Sequence, residues 1–134
     1  ERRTAMSEPI VFISHHGIKE GMVEEFRESY RKHAPLIEAD KPGTVVWLHY
    51  LDEDESEVTG IHVFPDAEAM ERHMEGARER AGEAWQFLVP GRFEIFGKPN
   101  ERVLAFMKQV ASDSGASLTL KPEYVTGYLR LKEG

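Results

Sequence analysis

The stretch Ser56-Glu-Val-Thr-Gly-Ile-His-Val-Phe64-Pro-Asp66-Ala-Glu-Ala-Met70 changes its periodicity at Pro65. Up to Phe64 it is short and rich in β-branched residues, which predicts a strand. Pro65 stops that strand, and Asp66 is a favourable N-cap for a helix. Beyond Asp66 the apolar residues recur at helical spacing as far as position 88, which predicts a single amphipathic helix over residues 67–88.

The same two patterns continue on both sides of this stretch. An apolar, β-branched run predicts the first strand, and a glutamate-rich segment with apolar residues every three or four positions predicts the first helix. Pro90-Gly91 is expected to break the second helix before the last strand. The remaining predicted elements are strands over residues 9–16, 44–51 and 92–96, a helix over residues 19–39 and an acidic loop over residues 52–55.

This order, β-α-β-β-α-β over residues 9–97, predicts an α+β, ferredoxin-like fold. Right-handed crossovers place both helices on one face of a four-stranded antiparallel sheet. Residues 98–134 are expected to extend the same domain with a helix over residues 100–112 and an extended segment over residues 117–131, which pack on a partner or a sheet edge. The polar residues 1–8 read as a tag remnant or disordered leader, with Met6 as the native start.

Composition excludes several classes of function. The chain of 134 residues carries 24 acidic and 17 basic side chains, a net charge of −7, which does not suit a nucleic acid or an anionic membrane as partner. There is no cysteine, so thiolate metal sites and cysteine nucleophiles are absent. No apolar run is long enough to span a membrane and no signal peptide is evident, so a cytoplasmic location is expected.

Alternation along the strands divides their residues into two sets. The aliphatic set suits packing against the helices. The other set is too apolar to face water, so we expect a second copy of the chain to cover it, closing a barrel across the dimer around a small cavity. A slip of one residue at a bulge would exchange the two sets. The aliphatic set contains Val11, Ile13, Val46, Leu48, Ile61 and Val63. The aromatic and histidine set contains Phe12, Ser14, His16, Val45, Trp47, His49, Gly60, His62, Phe64, Phe93, Phe96 and either Ile95 or Glu94.

The histidines are the candidates for chemistry. His49 and His62 are expected on neighbouring strands, where they could line the cavity as satisfied polar groups, act as a general base or hydrogen-bond donor, or form a three-histidine metal site with His16. His73 lies at the margin of the second helix's apolar stripe. It could shield the stripe from water, or it could have a functional role in the cavity. Phe12, Ser14, His16, Trp47 and Phe64 would supply the cavity walls.

Three segments resemble the antibiotic biosynthesis monooxygenase family: Gly17-Ile-Lys-Glu-Gly21-Met-Val-Glu-Glu-Phe26, Lys41-Pro42-Gly43-Thr-Val-Val-Trp-Leu and Ile61-His-Val-Phe-Pro-Asp66-Ala-Glu-Ala-Met70-Glu-Arg-His73-Met74. The resemblance implies a homodimeric α/β barrel. Some members oxidise polycyclic phenols with molecular oxygen and without a bound metal or flavin, and others bind and degrade heme.

The resemblance also bears on single residues. His73 matches the helix histidine that ligates heme in the heme-degrading members. Phe64 replaces a tryptophan common in the family, and Ser14 or His15 stands where the heme-degrading members have asparagine, which weighs against heme degradation. We therefore predict a cofactor-independent monooxygenase acting on an aromatic or quinol-like molecule, with His49, His62 and His73 as catalytic residues. The alternatives are a non-catalytic ligand-binding dimer and a heme-binding relative.

Overall fold

The computed structural model of the protein describes residues 8–131, so the predicted leader lies almost entirely outside the described residues. The α+β class is confirmed, with helices and strands in the predicted order and one additional helix. The elements are β1 (Ile10–Ile18), α1 (Val23–Asp40), β2 (Val46–Leu51), β3 (Glu57–Phe64), α2 (Ala67–Met74), α3 (Ala77–Ala84), β4 (Leu88–Phe96), α4 (Glu101–Ser114) and β5 (Ser117–Lys121). Within this described range no helix combines the length and the apolar character needed to cross a bilayer.

The sheet has five strands in the order β2-β3-β1-β4-β5. The four strands predicted within residues 9–97 pair antiparallel, whereas β5 of the C-terminal extension joins the sheet edge parallel to β4, so the sheet as a whole is five-stranded and mixed. The extended segment expected as far as residue 131 is also shorter than predicted. Regular structure stops at Lys121, because Pro122 has no N–H with which to continue the ladder.

The helix predicted over residues 67–88 is two helices, α2 and α3. The chain leaves α2 at Glu75 and turns at Gly76, whose φ of +82° is a conformation that glycine adopts without strain. Arg80 donates hydrogen bonds to the carbonyls of His73 and Glu75, which α2 leaves unpaired at its end. The apolar stripe continues across this break, so periodicity alone did not reveal it. Asp66 caps α2 as predicted, accepting from the backbone N–H of Ala69.

Pro90 and Gly91 lie inside β4 and do not separate a helix from a strand. The β1–β4 register shifts between His15 and Gly17, which marks a bulge opposite Gly91. A Cβ atom at Gly91 would lie 2.3 Å from the carbonyl oxygen of His15, so only glycine permits this close approach. The bulge allows the His16 ring to accept a hydrogen bond from the Gly91 N–H.

All four helices contribute to one face of the sheet, and the aromatic and histidine set points towards them. Tyr30 of α1 packs over His49, His73 of α2 over His62, and Trp85 after α3 over His16. The aliphatic set lies on the opposite side, which we call the far face. The predicted assignment of the two sets is therefore reversed: alternation defines the sets, but it does not determine which one the crossovers cover.

The core lies between the sheet and the helices α2 and α4. Phe64 is fully buried, and Val103 and Met107 of α4 pack into the same cluster as Phe12 and Phe93. The sequence left open whether α4 packs on a partner or on the edge of its own sheet. In the structure α4 buries its apolar stripe against its own sheet, so this stripe is not available to a partner. A second cluster forms under α1 around Phe26, Val58 and Leu88.

Candidate functional site

A cavity of about 180 Å³ lies between the helices and the sheet of one chain. It is therefore not enclosed between two sheets across a dimer, as the sequence-based assignment of the faces implied. Phe64 does not line it: its ring lies behind the wall, with its centroid 6.3 Å from that of His62 and 5.3 Å from that of His73. The other predicted site residues all line the cavity, namely Phe12, Ser14, His16, Trp47, His49, His62 and His73.

Strand register brings these side chains together. His62 of β3 lies between Trp47 of β2 and Phe12 of β1, and the next row along the strands places Gly60 between His49 and Ser14. A Cβ atom at position 60 would lie 2.9 Å from both the His49 ring and the Ser14 hydroxyl oxygen.

Because Gly60 has no side chain, the His49 ring can pack directly on the backbone of the sheet. Sequence reasoning noted Gly60 only as a face position. A glycine inside an otherwise β-branched strand was the available signal of close packing.

Three imidazoles form a row across the floor of the cavity. The ring centroids of His49 and His62 are 5.9 Å apart, and those of His62 and His73 are 5.4 Å apart. Trp47 and Tyr30 enclose the His49 end of the row, with ring centroids 4.4 Å and 4.9 Å from that of His49. The three predicted catalytic residues are thus neighbours within one aromatic-walled site.

Hydrogen bonds to the backbone place His62 and His16 in opposite tautomers. Nδ1 of His62 donates to the Phe12 carbonyl oxygen at 3.1 Å, which leaves a lone pair on Nε2. Nδ1 of His16 accepts from the Gly91 N–H at 2.9 Å, so its Nε2 carries the proton. His62 can therefore accept a proton from a ligand, whereas neutral His16 can only donate through Nε2.

The other two histidines differ in how they are held. Nδ1 of His73 lies 2.7 Å from the hydroxyl oxygen of Thr44, a contact that fixes the ring orientation. Neither ring nitrogen of His49 makes a hydrogen bond to any residue within 8–131. Its Nε2 lies on the side of the ring that rests on Gly60, where a Cβ atom would be 2.9 Å away.

Burial keeps these imidazoles neutral. Desolvation lowers the pKa of His49 to about 3, with repulsion from His62 adding to the effect. Burial also lowers the pKa of His62 to about 4, opposed by its hydrogen bond to Phe12, and that of His73 to about 3. For Tyr30 burial acts in the other direction and raises the phenol pKa to about 12. At neutral pH the site thus presents uncharged imidazoles and a protonated phenol.

Arg80 introduces a positive charge at one end of the cavity. Its half-buried guanidinium lies beside the end of α2, held 2.6 Å from the carbonyl oxygen of His73, and its charge contributes to the lowered pKa of His73. Burial lowers the pKa of Arg80 itself, although Asp40 and Glu79 oppose that effect. Sequence reasoning missed Arg80, because its position depends on the unrecognised break between α2 and α3.

The three-histidine metal alternative receives no support from the described part of the chain. Over residues 8–131 no three His, Cys, Asp or Glu side chains are arranged to hold a metal ion. His16 in particular already uses Nδ1 as an acceptor for the Gly91 N–H.

Comparisons with known proteins identify the fold. No protein-family model and no curated protein matches the sequence. Among solved structures, MupZ from Pseudomonas fluorescens is 13% identical with a TM-score of 0.59, over 91% of this chain and 96% of that one. SnoaB, a cofactor-independent oxygenase from Streptomyces nogalater, is 18% identical with a TM-score of 0.56, over 70% and 96% of the two chains.

A further neighbour is a protein from Caulobacter crescentus that is provisionally assigned as an antibiotic biosynthesis monooxygenase. It is 14% identical with a TM-score of 0.57, over 66% of this chain and 86% of that one. At these identities the likeness concerns the fold. The chain therefore has the fold of the antibiotic biosynthesis monooxygenase-like proteins, as the resemblance in its sequence predicts.

Proposed function

We propose that the protein is a cofactor-independent oxygenase that oxidises a phenolic or quinol-like aromatic molecule. The observation that carries the proposal is the Nε2 lone pair of His62, which accepts no hydrogen bond from residues 8–131 and lies among aromatic walls close to the positive charge of Arg80. The fold it shares with SnoaB, a cofactor-independent oxygenase, supports the same reaction class.

The arrangement suits deprotonation of a bound phenol. The substrate ring stacks against Trp47 and Phe12, and its hydroxyl donates to Nε2 of His62. As the proton moves, the ring becomes rich enough in electrons to reduce molecular oxygen, and Arg80 stabilises the phenolate. Oxygen then bonds to the ring carbon opposite the hydroxyl. The O–O bond and the C–H bond of that carbon then break. One oxygen atom stays as a new carbonyl, and the other leaves as water with the hydroxyl proton and the hydrogen of that carbon.

The low basicity of His62 restricts the substrate. A phenol of ordinary pKa, about 10, would transfer its proton to an imidazole of pKa about 4 at a cost of about 8 kcal/mol. The ion pair formed with the imidazolium and the charge of Arg80 must offset most of this cost. A hydroxyl acidified by a conjugated carbonyl lowers the cost further, so we expect hydroxylated quinones to react faster than simple phenols.

Oxygen consumption with a panel of phenols, naphthols and hydroxynaphthoquinones tests the proposal. We expect uptake without added flavin or metal and in the presence of a chelator. With ¹⁸O₂, one labelled atom should enter the product and the other should appear in water. A ligand that binds under air without any oxygen uptake would instead support the alternative of a non-catalytic binding protein.

The volume of the cavity does not favour the heme alternative. A cavity of about 180 Å³ is only slightly larger than an engineered cavity of about 150 Å³ that holds benzene, and a heme macrocycle is far larger than benzene. A Soret shift on titration with hemin that His73→Ala removes would restore this alternative.

The far face supports a homodimer. Rows of apolar side chains cross three strands there, with Leu48 beside Ile61 and Ile61 beside Ile13. Leu48 is 44% exposed and Tyr50 is 59% exposed in the single chain. A contiguous apolar face of this kind is typical of an interface, and a second copy of the same sheet would cover it by two-fold pairing.

Leu48→Glu should therefore convert the protein from dimer to monomer, because a carboxylate in each copy would be buried opposite an apolar face. Sedimentation at micromolar concentration measures the change. Leu36→Glu is the matched control, since Leu36 of α1 is also exposed, at 60%, but lies away from the far face. A wild-type monomer, or equal effects of the two variants, would contradict the dimer.

A further inference from the structure

The C-terminal extension supplies part of the cavity wall. Phe106, Met107 and Val110 of α4 line the cavity, although α4 lies beyond the segments of the sequence that resemble the family. The helix is firmly placed: Asn100 accepts from the Val103 N–H at 2.8 Å and donates to Glu71 of α2 at 2.9 Å.

The position of α4 makes it a boundary. Tyr30 of α1 covers the β2 side of the cavity, whereas α4 contacts β4 and β5 on the other side of the sheet. Phe106 is also tied to α3, since the Arg78 guanidinium lies 5.4 Å from its ring centroid. Helix α4 thus lines the side of the cavity next to β4 and β5.

We infer that Phe106 and Val110 set the length of the ligand that the cavity accepts and restrict it to one or two fused rings. This inference rests on the proposed function for one point, that the ligand is a hydroxylated aromatic molecule. The volume of about 180 Å³ accommodates a ligand somewhat larger than benzene. Phe106 and Val110 line the α4 side of the cavity, so a third fused ring that extended in this direction would meet their side chains.

The chain contains two tryptophans, and both Trp47 and Trp85 line the cavity. Their fluorescence therefore reports ligand binding directly and does not depend on turnover. Titration with phenol, 1-naphthol and a hydroxyanthracene, checked by calorimetry, gives a profile of affinity against ring number. We expect the wild-type protein to bind 1-naphthol at least roughly tenfold more tightly than the three-ring compound.

Val110→Ala and Phe106→Ala should each improve binding of the three-ring compound by roughly tenfold relative to phenol. Val103→Ala is the matched control, because it removes the same two methyl groups from the same helix but from a buried core position that does not line the cavity. It should leave the profile unchanged.

Two results would overturn this inference without affecting the proposed function. One is a profile of affinity against ring number that is the same in Val110→Ala, Phe106→Ala and Val103→Ala. The other is tight binding of the three-ring compound by the wild-type protein. Absence of binding by every hydroxyarene would remove the proposed function and this inference with it. Binding with the expected profile but without oxygen uptake would leave the inference intact and remove only the oxygenase.

Discussion

His62→Asn is expected to lower kcat for the phenolic substrate by about 10² to 10⁴, the contribution typical of a positioned general base. The asparagine amide can still donate to the Phe12 carbonyl oxygen that now accepts from Nδ1 of His62. It provides no atom in place of Nε2, which is the acceptor facing the cavity. The variant thus removes the proposed base and retains the bond that orients the side chain.

His16→Asn is the matched control. Its side-chain oxygen can accept from the Gly91 N–H as Nδ1 of His16 does, and no accepting lone pair is lost, because Nε2 of His16 carries the proton. We expect kcat within a few-fold of wild type, and unchanged tryptophan quenching by ligand in both variants. Equal losses in the two variants would show that the cavity needs the histidines only for its shape. A loss of kcat in His73→Asn but not in His62→Asn would identify His73 as the base.

The pH dependence of the same reaction follows from the neutral state of the base. Burial lowers the pKa of His62 to about 4, and only the unprotonated ring can accept the substrate proton. The rate should therefore be level from about pH 8 to pH 6 and fall as the pH approaches 4. A fall centred near 6.5, the ordinary pKa of histidine, would indicate that the base is exposed to water.

The sequence predicted the strands and the shared face of His16, His49 and His62, because a period of two places alternate residues on one side whatever covers them. It could not show which side the helices cover. Val11, Ile13 and Ile61 suit a helix-covered face as well as they suit a face that pairs with another sheet. This reversal moved the cavity from a dimer interface into the single chain.

Two parts of the site depended on details that periodicity does not encode. The break at Gly76 lies within a continuous apolar stripe, so α3 and the position of Arg80 were not predicted. The contribution of α4 was missed for a different reason: its apolar residues were recognised, but nothing in a helical pattern indicates which surface the helix covers. Val103 faces the core and Val110 the cavity, although both belong to the same stripe.

The same buried histidines should make the protein sensitive to acid. His16, His62 and His73 are 6%, 7% and 4% exposed, and burial lowers their pKa values to about 4, 4 and 3. In the unfolded chain each regains a pKa of about 6.5. Between these values the unfolded state binds more protons than the folded state. The stabilisation is therefore complete above about pH 6.5 and is lost as the pH falls towards the folded-state values.

The expected loss is large. At pH 4.5 each of the three histidines costs about 2 to 3 kcal/mol relative to pH 8, since its folded form is still mostly neutral while its unfolded form is charged. Together the three approach the total stability of a typical domain, about 5 to 15 kcal/mol. We therefore expect the cavity to open or the chain to unfold between about pH 4 and 5.

Urea unfolding followed by tryptophan fluorescence at several pH values measures this effect. The free energy of unfolding should be nearly level from pH 8 to 7 and then fall by about 1.4 kcal/mol per pH unit for each histidine involved. His16→Asn should reduce the slope by about one such increment, and His16→Asn with His62→Asn by about two. A wild-type stability that stays level down to pH 5 would mean that water reaches these rings in solution, and it would remove the basis for treating His62 as a desolvated base.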